Sequence, residues 1–346
     1  MRSVGWVIAG LAFAACSVDR SPTPRTGSFD TVFSHVSELQ LEEMPGSPIA
    51  SIADVVLVAD RLIVADQLQD RVVAFTTDGT VIGVIGRLGD GPGEFRRPHS
   101  VVLDADGTIL IGDATQRITR VTRDLDLVNV YRVNVPFQVR RLANVRDDIA
   151  ITLFNPRLEG DNFALWSKEE GLGRTFDVRS PLLREVPYWP MAFTTLVAAT
   201  PQHVFAVDNM AYPIRVYSAD LEFLDSVGAA PPSWIQARRP EPNEFSLAVG
   251  PGSEIRSFLR SFTRVDRLGV LDDRYLVVSH RYPVGEYTSD DEFRADIYDT
   301  ADGIVKIWQD VLLSGRMIAA DDCMWLVVQA PPEPWTLACY RLAGVQ

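Results

Sequence analysis

The sequence predicts an all-β fold, a six-bladed propeller of four-stranded antiparallel blades. Three observations predict it. An apolar strand ending in a polar residue recurs five times, as RLIVAD (61–66), TILIGD (108–113), HVFAVD (203–208), YLVVSH (275–280) and MWLVVQ (324–329). Strand–turn–strand units follow at RVVAFTTDGTVIGVIG (71–86), RITRVTRDLDLVNVYRV (117–133), PIRVYSADLEFLDSVG (213–228) and RADIYDTADGIVKIWQ (294–309). Each repeat also begins with a further apolar strand, as in SIADVVLV, PHSVVLD and TTLVAAT. Four short strands in about 40 to 50 residues make one propeller blade.

The first fifteen residues read as a signal peptide. Met1-Arg2-Ser3 supplies a positive charge, and Val4 to Phe13 is an apolar run too short to stay as a spanning helix. Two cleavage readings compete. Ala12-Phe13-Ala14 fits an ordinary A-x-A site, which would release a soluble periplasmic or secreted protein. Phe13-Ala14-Ala15-Cys16 resembles the bacterial lipobox, in which Cys16 is lipidated and becomes the new N-terminus. Lipidation is the expectation carried forward. In that pattern Ser17, rather than Asp, points to the outer membrane. Residues 16–30 then form a lipidated cysteine and a polar, Pro-containing tether.

The propeller is expected over residues 31–346. Asp78, Asp124, Asp220 and Asp302 sit in the hairpin turns, where Asp suits tight geometry. A weaker blade fits between 137 and 180, with DDIAITLF and NFALWSK as its middle strands. The last unit, ending in TLACYRLAGVQ, lacks a fourth strand. FSHVSELQLEE (33–43) has no repeat of its own and is expected to complete that blade, removing an exposed sheet edge. Residues 229–262, rich in Pro, Arg and Glu, read as an insertion, with a short helix around Ser253 to Ser261.

The glycine-rich stretch GRLGDGPGEFRRP (86–98) is read as a connector between blades. No Gly-Lys-Ser/Thr follows it and no helix opens behind it, so the context of a phosphate loop is missing. Cys323 and Cys339 flank a strand–turn–strand pattern that folds about Pro331. They are either a cross-strand disulfide or two buried thiols.

The chain has 346 residues, 47% of them apolar, and a net charge of −13. That balance disfavours a nonspecific nucleic-acid binder, which needs a basic footprint. No nucleic-acid partner is expected, and the membrane is reached only through the N-terminal lipid.

GRLGDGPGEFRRPHSVVLDADGTILIGDATQRITRV resembles an NHL repeat. VSELQLEE, RLIVAD and GRLGDGPGEF together resemble the six-bladed β-propeller lipoproteins of bacterial envelopes. The resemblance implies fold and location rather than a chemistry. Some NHL propellers, the peptidyl-hydroxyglycine amidating lyases, hold zinc with a Pro-His before the inner strand of three blades. Pro98-His99 matches once, but Arg140, Thr194, Asp266 and Gly315 stand at other corresponding places. One imidazole makes no zinc site. Asp54, Asn144, Asn209 and Asp266 are the nearest approach to a calcium lactonase set, and Asp104-Ala105-Asp106-Gly107 reads better as a hairpin turn. No metal or cofactor is expected.

Aligning the repeats brings His99, Arg140, Arg141, Asp266, Arg267 and Arg316 near one mouth of the central funnel. Arginines there would grip carboxylate or phosphate groups. The competing reading pairs each Arg with an Asp of a neighbouring blade. Asp66, Asp113 and Asp208, once per blade at a strand end, are expected to bind local backbone N–H groups. The functional expectation is a ligand- or protein-binding or scaffold module, its partner a protein or a small anionic ligand. The alternative is a lyase, lactonase or glycan-active hydrolase using the funnel.

Overall fold

A computed structural model describes residues 23–133, 138–154, 161–179, 194–238, 254–283 and 291–344. They form six four-stranded antiparallel sheets. Blade 1 holds β2 (Ile52–Val58), β3 (Arg61–Asp66), β4 (Arg71–Thr76) and β5 (Val81–Ile85). Blade 2 holds β6 (Ser100–Leu103), β7 (Ile109–Gly112), β8 (Arg117–Val121) and β9 (Leu127–Arg132). Blade 3 holds β10 (Gln138–Val145), β11 (Asp148–Phe154), β12 (Phe163–Ser167) and β13 (Gly171–Phe176). Blade 4 holds β14 (Thr195–Ala199), β15 (His203–Asp208), β16 (Ile214–Ser218) and β17 (Phe223–Val227). Blade 5 holds β18 (Arg264–Leu271), β19 (Tyr275–Tyr282), β20 (Glu292–Asp299) and β21 (Val305–Leu312). Blade 6 holds β22 (Arg316–Ala320), β23 (Met324–Gln329), β24 (Thr336–Leu342) and, from the other end of the chain, β1 (Phe33–Gln40).

The second strand of each blade has an apolar middle because both its faces are covered. Side chains alternate along a strand. Leu62 and Val64 of β3 therefore pack toward blade 6, and Ile63 and Ala65 toward blade 2. A hydrophobic cluster of this kind fills each of the six blade interfaces. Outer strands have one wet face, so β5 alternates in burial and β17 is largely exposed.

Ring closure follows from β1, which pairs antiparallel with β24 from Phe33 opposite Leu342 to Gln40 opposite Thr336. Just before it, Arg25 bridges to Trp308 on β21, donating its N–H to the Ile307 carbonyl at 3.0 Å. The chain is thus fastened to blade 5 before it enters blade 6. Cys323 and Cys339 are joined as a disulfide with Cα atoms 5.7 Å apart, within the cluster between blades 6 and 1. Closing a loop of that length contributes about 3 kcal/mol.

The glycine-rich connector is held by its own groups. Arg117 donates to the carbonyls of Asp90, Gly91 and Glu94, and Glu94 accepts from the Gly91 N–H at 2.8 Å. Phe95 is fully buried beneath it. Gly86 is required: its φ is +112°, and a Cβ there would lie 2.8 Å from the Asp70 carbonyl oxygen.

Between β17 and β18 the described residues carry a short helix (Glu254–Arg260) and no strand. Trp234 from this region packs on Tyr212 and His280, with ring centroids 5.2 and 5.7 Å away. The signal-peptide and Cys16 readings fall on residues outside those described.

Candidate functional site

The six inner strands, β2, β6, β10, β14, β18 and β22, stand side by side around a central channel. They run in one direction. Val101 N–H donates to Asp54 Oδ2 at 3.1 Å, Leu142 N–H to Ser100 Oγ at 3.1 Å, and Asn144 reaches the Leu103 carbonyl. All their N-terminal ends therefore meet at one mouth, and that mouth is where the arginines gather.

Four of these strands carry a β-bulge near the start, at Ala53, Arg140, Asp266 and Ile318. A bulge adds a residue and re-aims its neighbours. It brings Asp54, Arg141 and Arg267 together in the channel. Arg267 Nη1 lies 3.3 Å from Asp54 Oδ1 and Arg141 Nη1 lies 3.8 Å from Asp54 Oδ2. These pairs join blades 5 and 3 to blade 1, which are not neighbours, so they cross the channel. Arg141 also donates to the His99 carbonyl at 2.9 Å.

The triad roofs a cavity of about 480 Å³ that continues to the opposite mouth. Asp273, Asp321 and Asp322 line that far end together with Arg146. Burial, with Asp322 and Asp54 adding repulsion, pushes the Asp321 carboxyl up to about 6. The channel is polarised, with guanidiniums in excess above the roof and carboxylates in excess below.

Each expected mouth residue has a distinct place. Arg316 Nε donates to Asp266 Oδ2 at 3.0 Å, an ion pair between adjacent blades of the kind that staples a ring. Arg140 lies over the Phe154 ring, 4.7 Å from its centroid, and has no ion pair among the described residues. His99 is buried within the wall with neither ring nitrogen hydrogen-bonded. Burial, then the charges of Arg140 and Arg141, holds its imidazole well below the ordinary value. His99, Arg140, Asp266 and Arg316 lie outside the lining of the roofed cavity.

Residue spacing did not single out Asp54 as the anchor, nor Arg264 and Arg281. Arg264 and Arg281 are direct cross-strand partners in β18 and β19. Like charges so placed repel. The signal was present, since both are equally distant from the Asp272-Asp273 turn. Burial lowers Arg267 to about 9, with Arg141 and Arg316 adding repulsion and Asp54 opposing. Arg281 falls to about 10 through burial and Arg264, with Asp266 opposing. Three guanidinium Nε atoms, of Arg140, Arg267 and Arg281, are buried without a hydrogen-bond partner. Such a mouth attracts an anion.

Two of the strand-end aspartates, Asp66 and Asp113, bind local backbone N–H groups, and Asp208 accepts from the Thr195 hydroxyl at 3.1 Å. Asp66 accepts from Ala50 N, Ser51 N and Arg71, while Asp113 accepts from Arg96 N, Thr115 N and Arg117. Each fixes the segment leading into the inner strand of its own blade.

A second buried histidine gives a pH signature. His280 has no exposed surface, and its Nε2 bonds Tyr212 Oη. Burial pushes its imidazole down to about 4. The unfolded chain takes up that proton near pH 6.5 and the folded one only near 4. Stability is therefore full above 6.5 and falls as pH drops through this window, by about 3 kcal/mol. Urea titrations at pH 7 and pH 4 should show this loss shrinking in His280→Gln. An unchanged loss in the variant would refute the assignment.

Fold and channel define the class: a six-bladed β-propeller with a polarised central site. Residues 14–149 match the model of a protein family described as "6-bladed beta-propeller". The structure is similar to a Bacteroides fragilis protein named "Putative exported protein", at 15% identity over 92% of this chain and 98% of that one, TM-score 0.61. It is similar to a member of the duf4221 family from Bacteroides vulgatus, at 10% identity over 90% and 98%, TM-score 0.61. Virginiamycin B lyase of Staphylococcus aureus matches at 10% identity over 86% and 82%, TM-score 0.53. No curated protein matches the sequence.

Proposed function

We propose that the protein is an exported binding module of a bacterial cell envelope, held by lipid on Cys16. It takes an anionic group, of a small ligand or a partner protein, at the arginine mouth of its channel. The observation that carries the binding reading is the excess of buried guanidiniums over carboxylates at that mouth, with three Nε atoms left without partners. Arg264 and Arg281 stand directly opposite each other, where like charges repel, and of the two only Arg281 has an ion pair among the described residues. Export is supported by the charged and apolar start of the sequence and by the name of the Bacteroides fragilis neighbour.

The anchor is tested by fractionation. Cys16→Ala should move the protein from membranes to the soluble envelope fraction, and a mature chain that mass spectrometry finds beginning at Ala15 would overturn lipidation. The mouth is tested by calorimetry with acetate and inorganic phosphate. Arg140→Lys keeps the charge but loses the fork, so binding should weaken about tenfold. Binding equal in both proteins, with a lowered melting temperature, would make Arg140 a staple instead.

A further inference from the structure

The mouth guanidiniums are not one cluster. On the side of blades 2 and 3 lie Arg140 and Arg97, with buried His99. On the side of blades 5 and 6 lie Arg264, Arg281 and Arg316, with Arg260 in electrostatic reach. Arg140 and Arg281 each have a buried, unpartnered Nε, so each side has its own unmet donor. The Asp54–Arg141–Arg267 triad stands between them, one carboxylate shared by two guanidiniums. Asp266 and Asp291 are the carboxylates paired on the second side, to Arg316 and Arg281. Arg140 has no paired carboxylate on the first, among the described residues.

We infer that the ligand carries two acidic groups at opposite ends of a short chain. One group is received by Arg140 and Arg97, the other by Arg264 and Arg281, so that the ligand lies across the roof of the channel. This rests on the anion reading above and names the class of ligand: a diacid, free or presented as two acidic groups on one larger molecule. A single anion would meet one side and leave the buried, unpartnered Nε of the other as it is. The side chain of Asp54 already meets Arg141 and Arg267, which leaves the two flanks as the places where new charge is accommodated.

The test is calorimetry of the folded domain with unbranched α,ω-dicarboxylates from succinate to suberate, and with acetate and butyrate as single-group controls. Affinity should exceed that of the monoacids by tenfold or more and should peak at one chain length. Arg140→Gln and Arg264→Gln should each reduce the best diacid to the monoacid level, and the double variant should abolish binding. Neither guanidinium is in an ion pair among the described residues, so the ligand-free melting temperatures should hold. Diacids that bind no better than butyrate, or equally at every length, would overturn the two-group inference while single-anion binding stands. If no acid binds the unmodified protein, both readings fall.

Discussion

A chain lacking residues 33–43 should lose about 5–9 kcal/mol of stability and aggregate. Phe33 is buried between blades 5 and 6, and Leu39 and Leu41 between blades 6 and 1, so one segment completes two interfaces. Each such side chain contributes about 1.5–3 kcal/mol when fully buried. Its loss also strips the outer edge of β24, whose backbone groups would face solvent along the register from Leu342 to Thr336. Whole domains are stable by only about 5–15 kcal/mol, so the deletion is enough to unfold this one. The measurement compares a chain starting at residue 23 with one starting at Gly46, by urea denaturation and light scattering. Equal midpoints and a monodisperse short chain would show that the ring closes without β1.

The closing strand was legible because its partner was visibly missing: TLACYRLAGVQ ended a blade one strand short. RLIVAD was legible for the same physical reason that it folds, since a strand buried on both faces has no polar alternation to hide it. The connector at 86–98 was legible in outcome though not in detail. Arg117, well beyond its end in the next blade's third strand, proves to hold the loop carbonyls.

The site was legible only to within a residue, and the bulges explain why. Spacing aligned Arg140 with Arg141 and Asp266 with Arg267 as equivalent pairs, but an inserted residue at Arg140 and at Asp266 sends the two members of each pair to different surroundings. Arg141 and Arg267 enter the roof. Arg140 turns onto Phe154, and Asp266 meets Arg316 of the next blade. The reading as staples between adjacent blades describes Arg316 and not Arg267, which crosses to Asp54 over 213 positions of sequence. Nothing in local pattern announces a contact made by ring geometry at that separation. Asp54 looked like one acidic residue among many until the ring brought two guanidiniums to it.

Replacing Asp54 by Asn should therefore cost about 3–5 kcal/mol, far more than a typical surface charge. The carboxylate is the shared counter-charge of Arg267, which is almost wholly buried, and of Arg141, and it also accepts the Val101 N–H. An amide still accepts that hydrogen bond, so the loss reports the charge. The buried guanidiniums then face each other, and Arg141 already bears on Arg267 as a repelling charge. Two further results separate this from general disruption. Arg267→Met in the Asp54→Asn background should recover much of the stability, because the uncompensated charge is removed with its burial cost. Acetate or phosphate should raise the melting temperature of Asp54→Asn more than that of the unmodified protein, since a free anion takes the place of the lost carboxylate. A cost below about 1 kcal/mol would place the pair among solvated surface bridges, and the roof would then be no barrier across the channel.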